Sequence, residues 1–147
     1  MSDLISTKYQ AGLFTVIAAL VLITPLCGLL FDCGCTWPWA GLESHCNIHN
    51  PKAVHQCPWC VSTVAGGLSV GLAVLVGFLL SVKSVNSGYD MRDSALAGMR
   101  HEAQSLAFIK RVLVGLLGFA IIAVITGWLS GYLQGYPYFV LLHEQPF

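Results

Sequence analysis

Residues 61–82 read VSTVAGGLSVGLAVLVGFLLSV, without one charged side chain or histidine. About 20 consecutive apolar residues are what a helix needs to cross ~30 Å of hydrocarbon. Inside lipid a spanning segment must also satisfy its own backbone polar groups, which a helix does. The stretch has no polar face for water, so it does not read as a surface helix of a soluble bundle. Two more runs repeat the pattern, Ala11 to Phe31 and Val112 to Leu133, and neither contains Asp, Glu, Lys, Arg or His. Only 10% of the 147 residues are charged, against about 25% in ordinary soluble domains, and the mean hydropathy is +0.72.

These runs predict an all-α integral membrane protein with three transmembrane helices, at 11–31, 61–82 and 112–133. A Cys/His-rich loop (32–60) joins the first two, a segment at 83–111 joins the last two, and a tail covers 134–147. With no repeat or linker, the chain reads as a single membrane domain. The first apolar run is too long for the h-region of a signal peptide and no small-x-small site follows it. Cys27, near its end, reads as a small apolar residue.

The basic residues set an orientation. Lys8, Lys83, Arg92, Arg100, Lys110 and Arg111 fall before the first span or between the second and third, and Lys52 alone lies in the loop. The positive-inside rule puts the N-terminus and the 83–111 segment in the cytoplasm, and the loop and tail on the opposite face. In a bacterial inner membrane that is the periplasmic face, which is oxidising. Within 83–111, apolar Met91, Ala95, Met99, Ala103 and Leu106 recur at three or four residues, predicting an amphipathic cytoplasmic helix or an extension of the third span.

The spans are informative in what they lack. Ion pathways and transport sites place ionisable side chains at membrane depth, so a three-helix pump acting alone is not expected. Small residues recur instead. Ala123, Gly127, Gly131 and Gly135 form one row of four-residue spacing, and Gly67 and Gly71 another. Such rows let helix backbones approach closely in lipid, within the chain or against a membrane protein partner. Past the third span, Gly135-Tyr136-Pro137-Tyr138 breaks the helix at the depth where tyrosines settle.

Chemistry concentrates in the loop. It carries five of the six cysteines and three of the five histidines: Cys33, Cys35, His45, Cys46, His49, His55, Cys57 and Cys60. Trp37, Trp39 and Trp59 stand among them. The C-x-C at 33–35 ends the first span and the C-x-x-C at 57–60 opens the second, so adjacent helices would bring both mouths within about 10 Å. Three chemistries fit. Disulfides would staple a loop too small for a core, though an odd five cysteines leaves one over unless Cys27 joins.

A metal site would use Cys33, Cys35, Cys57 and Cys60, with His55, Cys46, His45 and His49 as supplementary ligands, for zinc, copper or an iron–sulfur centre. Thiol–disulfide exchange would use Cys57 as exposed nucleophile and Cys60 as resolving thiol, with Cys33 and Cys35 as a second pair, because a helix N-terminus stabilises a thiolate.

The placement of Cys57-Pro58-Trp59-Cys60 at a membrane edge resembles the bacterial membrane disulfide oxidases and the vitamin K epoxide reductase group. There the resemblance implies a quinone and a shuttling cysteine pair, here Cys33 and Cys35. It covers the loop and its flanking helices alone. Those families have a four-helix core, and no Arg follows the Cys57–Cys60 pair where the oxidases place one near the quinone. No phosphate-binding loop, zincin motif or nucleophile elbow is present, and zero net charge with no large basic patch gives nothing for nucleic acid to bind. The expectation is a small subunit or accessory factor of a membrane complex, in contact with the lipid bilayer, whose loop binds a metal. A disulfide-exchanging enzyme and a disulfide-locked structural subunit are the alternatives.

Overall fold

The computed structural model describes the backbone over residues 2–33, 56–83 and 97–136, and side chains over 7–33, 56–83 and 105–136. These residues form four helices, α1 (Ser2–Phe31), α2 (Pro58–Val61), α3 (Thr63–Lys83) and α4 (Ala97–Leu133), and among them there is no strand. Three are long and apolar enough to cross a membrane, over Thr7–Phe31, Thr63–Lys83 and Ser105–Leu133. Their outward faces carry Leu13, Phe14, Ile17, Leu68, Leu75, Leu117 and Ile125, all at least half exposed or close to it. In water that surface would drive aggregation, whereas against acyl chains it costs nothing.

The third helix is longer than its apolar run, because α4 continues without a break from Ala97 through Lys110 and Arg111. Over 97–111 the backbone is helical and continuous with the third span. Residues 84–96 lie outside the described residues.

α1, α3 and α4 pack as an up-down-up bundle on rows of small residues. In α3 the buried positions are Gly66, Ser69, Ala73, Gly77 and Ser81. A Cβ on Gly77 would meet the Gly115 carbonyl oxygen at 3.0 Å, and one on Gly115 would meet Gly77 O and Thr15 Cγ2 at 2.8 Å. The α3 and α4 backbones therefore approach at one level as larger side chains would not permit, with the Thr15 side chain of α1 against them. There the Thr15 hydroxyl bonds Ala11 O at 2.8 Å and Ser81 Oγ at 3.1 Å, so both buried hydroxyls are satisfied.

The glycine rows expected from sequence are only partly those used. Ala123 and Gly127 are buried, and a Cβ on Gly127 would meet Trp59, Leu30 and Phe31 at 3.2–3.4 Å. Gly67 and Gly71 face outward with nothing within 4 Å. The packing row of α3 is instead the buried one, of glycine, serine and alanine, from Gly66 to Ser81. Gly135 is not a packing residue either. Its φ is +64°, its N–H bonds Tyr132 O at 3.2 Å, and the next N–H, of Tyr136, bonds Gly131 O at 2.9 Å. That pair of bonds around a left-handed glycine is the Schellman cap that ends α4.

The bundle is chemically polarised. At one end Arg111 donates to Val82 O at 3.3 Å, satisfying a C-terminal carbonyl of α3, and Lys8, Lys83 and Lys110 share that end by the antiparallel order. The other end gathers the thiols.

Candidate metal centre

α1 buries Ala11, Thr15, Ala19, Cys27 and Phe31, a series whose steps are multiples of four. Cys27 thus lies on the stripe that faces the other helices, two residues past Pro25, whose missing N–H removes one helix bond. After Phe31 the chain turns at Asp32, which has φ +48°, the left-handed conformation that ends helices and that Asp tolerates better than most side chains. The turn carries Cys33 back onto the helix. Its Sγ lies 3.6 Å from Cys27 Sγ and donates to Cys27 O at 3.5 Å.

The other thiols come from the C-x-x-C segment. Cys57 is extended (φ −61°, ψ 129°) and precedes Pro58, which sits at the first position of α2, where its ring is already set for a helix. Cys57 O accepts from Cys60 N at 2.9 Å and Val61 N at 3.0 Å. The turn stops at Ser62, whose Oγ accepts from Ala65 N at 3.2 Å, an N-cap for α3. The C-x-x-C therefore does not open the second span itself. It forms a separate turn folded over the end of α3, and Gly66 permits this, since a Cβ there would overlap the Trp59 carbonyl oxygen.

These pieces converge. Cys27, Cys57 and Cys60 have sulfurs all within 4.8 Å of one another and so could hold a metal ion, with Cys27 Sγ only 3.1 Å from Cys57 Sγ. Cys33 adjoins the group through Cys27. No disulfide joins any of the four to another; Cys27, Cys33 and Cys57 are buried and Cys60 is half-buried. The pocket wall is aromatic. Phe31, fully buried, packs edge-to-face on Trp59 (centroids 5.2 Å apart) and on Tyr136 (5.7 Å). The buried indole N–H of Trp59 makes no hydrogen bond among the described residues, and the ring packs against Phe31 and over Gly127.

The end of α4 closes the site from above. Gln134 Nε2 donates to Pro58 O at 3.2 Å, gripping the C-x-x-C turn. The Tyr136 hydroxyl donates to Phe31 O at 2.6 Å, gripping the end of α1. Burial holds the Tyr136 phenol well above its ordinary pKa. Negative charge on Cys57, Cys33, Asp32 and Cys27 acts in the same direction, so it remains a donor.

Of the residues expected at the site, Cys57 and Cys60 lie together with Cys27, and Cys33 touches the group at Cys27. Cys35, His45, Cys46, His49 and His55 lie outside the described residues, as do Trp37 and Trp39. Two expectations change. Cys27 is a member of the cluster and not merely an apolar residue, and Cys57, expected as the exposed thiol, is fully buried while Cys60 is partly accessible. No protein-family model matches the chain, and no curated protein or solved structure is similar to it.

Proposed function

We propose that this protein is a membrane-embedded thiolate metal-binding protein, a small subunit or accessory factor of a larger membrane assembly, with Cys27, Cys33, Cys57 and Cys60 as ligands. The observation that carries the reading is the convergence of the Cys27, Cys57 and Cys60 sulfurs from two separate chain segments within 4.8 Å of one another, with Cys33 Sγ 3.6 Å from Cys27 Sγ and no disulfide among the four. Zinc–sulfur bonds of ~2.3 Å in a tetrahedron place sulfurs about 3.8 Å apart, inside that limit. An iron–sulfur cluster interposes several irons and sulfides between its thiolates and spreads them wider. The compact set suits one soft ion, zinc or cuprous copper. Histidines of the loop remain supplementary ligands in this reading.

A subunit role is supported by spans that carry no Asp, Glu, Lys, Arg or His over residues 11–31, 61–82 and 112–133, the side chains that ion pathways and transport sites place at membrane depth. The positive-inside rule places the basic end in the cytoplasm and the thiol end on the extracytoplasmic face, the periplasm if the membrane is a bacterial inner one.

The test is metal analysis of the purified protein together with thiol counting under denaturing conditions. One equivalent of zinc or copper, with four thiols that become reactive only on chelation, is the expected result. A Cys27–Cys57 disulfide with no bound metal refutes it. That outcome would favour the second reading, thiol exchange, for which the 3.1 Å separation of Cys27 and Cys57 is the favourable observation. Partly accessible Cys60, not Cys57, would then attack an external disulfide, displacing one thiol, and a second thiol of the cluster would resolve the mixed disulfide.

A further inference from the structure

Cys33 is the thiol whose place in the cluster is least secured by regular structure. It follows α1, and one turn residue, Asp32, determines where it goes. One hold on that turn comes from the far end of the chain. The Schellman cap at Gly135 anchors the backbone of Tyr136. Its N–H is bonded to Gly131 O at 2.9 Å and its Cβ lies 3.8 Å from where a Gly131 Cβ would stand. From that anchor the ring packs edge-on against Phe31 and the hydroxyl donates to Phe31 O at 2.6 Å. Phe31 O belongs to the peptide that leads into Asp32. Its orientation sets the left-handed turn, and the turn sets the 3.6 Å approach of Cys33 to Cys27.

We propose that Tyr136 is a positioning residue for the thiol site: by holding the Phe31–Asp32 peptide, its hydroxyl aims Cys33 at the metal. The proposal rests on the metal reading above and assigns to Tyr136 the control of one ligand among four. It differs from a general stabilising role, because the bond could be lost with the helices intact and only Cys33 released. Outer partners that orient metal ligands typically govern 10–100-fold in affinity.

The experiment uses the full chain in detergent with cobalt(II) as the probe, comparing wild type, Tyr136→Phe, Cys33→Ser and the double variant. The thiolate-to-cobalt charge-transfer absorption reports how many sulfurs bind, and chelator competition gives the affinity. Tyr136→Phe keeps the ring contacts and removes one hydroxyl. It is expected to lose the absorption contributed by one sulfur and about 10-fold in affinity, as Cys33→Ser does, with no further loss in the double variant. p-Aminophenylalanine at position 136, which restores a donor, is expected to recover the band.

Thr15→Val, at the opposite end of the bundle, removes a buried hydrogen bond and is expected to lower stability without changing the band. Wild-type absorption and affinity in Tyr136→Phe, or losses that add fully to those of Cys33→Ser, overturn the proposal while leaving the metal reading standing. A Tyr136→Phe chain that loses its helices also overturns it, since the hydroxyl then holds the bundle and not one thiol. If the wild type takes up neither cobalt nor zinc, the metal reading itself fails and this inference falls with it.

Discussion

The position of the C-x-x-C turn depends on one missing methyl group. Gly66 lies under α2, where a Cβ would overlap the Trp59 carbonyl oxygen and stand 3.2 Å and 3.3 Å from Trp59 C and Cα. All three are backbone atoms, so no side-chain rotation can relieve the contact. In Gly66→Ala the turn must retreat by roughly 1 Å, which is enough to spoil a site whose supporting shell is displaced, and metal–ligand distances tolerate only about ±0.2 Å. Cys57 and Cys60 move with the turn while Cys27 stays on α1. We expect overpacking to cost about 1–3 kcal/mol of stability and metal affinity to fall at least ~10-fold, or about 1.4 kcal/mol.

Gly67 supplies the control. It is adjacent in sequence, also helical, and has nothing within 4 Å. Gly67→Ala is therefore expected to bind metal as wild type does and to gain about 0.5–1 kcal/mol from better helix propensity. Chelator-competition titrations and SDS-titrated unfolding of both variants give the comparison. Equal behaviour of the two alanine variants would refute the reasoning, because it would mean that the turn does not rest on α3.

Asp32 stores strain of a different kind, in its φ of +48°. Asp32→Gly is expected to leave unfolding free energy within about 1 kcal/mol of wild type, and Asp32→Val to lose about 1–2 kcal/mol more through its β-branched side chain; SDS-titrated unfolding ranks the three. The Tyr136 phenol is raised above its ordinary pKa of 10, so it ionises in the unfolded chain before it does so in the folded one. Its contribution to stability is then complete below pH 10 and declines as pH rises from there through the folded value. Unfolding measured from pH 8 to 11 in wild type and Tyr136→Phe should show a downward slope above pH 10 that is weaker in the variant.

Much of this bundle is legible before any coordinates, because hydrocarbon thickness imposes one requirement on every span and composition alone answers it. That Cys33 and the Cys57–Cys60 pair lie at the same end of the bundle is legible for the same reason, since their residue numbers place them at the mouths of adjacent helices. Cys27 is harder. Inside an apolar run a cysteine looks like any small hydrophobe, yet two signals existed: its step of eight residues from Ala19 on the buried stripe, and the odd number of cysteines in the loop.

The glycine rows show a deeper limit. Gly67 and Gly71 have the regular spacing that suggests a packing face, but α3 is rotated so that Gly66, Ser69, Ala73, Gly77 and Ser81 meet its neighbours. Rotation about the helix axis is set by the partners: Trp59 O above, Gly115 O in the middle and Thr15 below. Sequence spacing within one helix does not contain that information.

The polarity of the bundle leads to a prediction about orientation. Antiparallel order puts Lys8, Lys83, Lys110 and Arg111 at one end, and Cys33, Cys57, Cys60 and Gln134 at the other. Basic residues resist translocation, so the thiol end should face away from the cytoplasm. A cysteine introduced at Gln134 in a chain otherwise freed of thiols should react with a membrane-impermeant maleimide from outside intact cells, and one introduced at Lys83 only after lysis. Gln134 grips Pro58 O, so a conjugate there can loosen the turn, but the readout is reactivity and not metal binding.

The opposite pattern would place the thiols in the cytoplasm. That result would leave the bundle and its metal geometry untouched while removing the oxidising face from the argument. Free thiols that hold metal would then be the expected resting state, and a disulfide at Cys27 and Cys57 would need a dedicated oxidant. Orientation therefore bears directly on which chemistry the cluster performs. On the outer face, a cluster found with metal and four intact thiols must resist oxidation, and burial of three of its four sulfurs supplies that resistance.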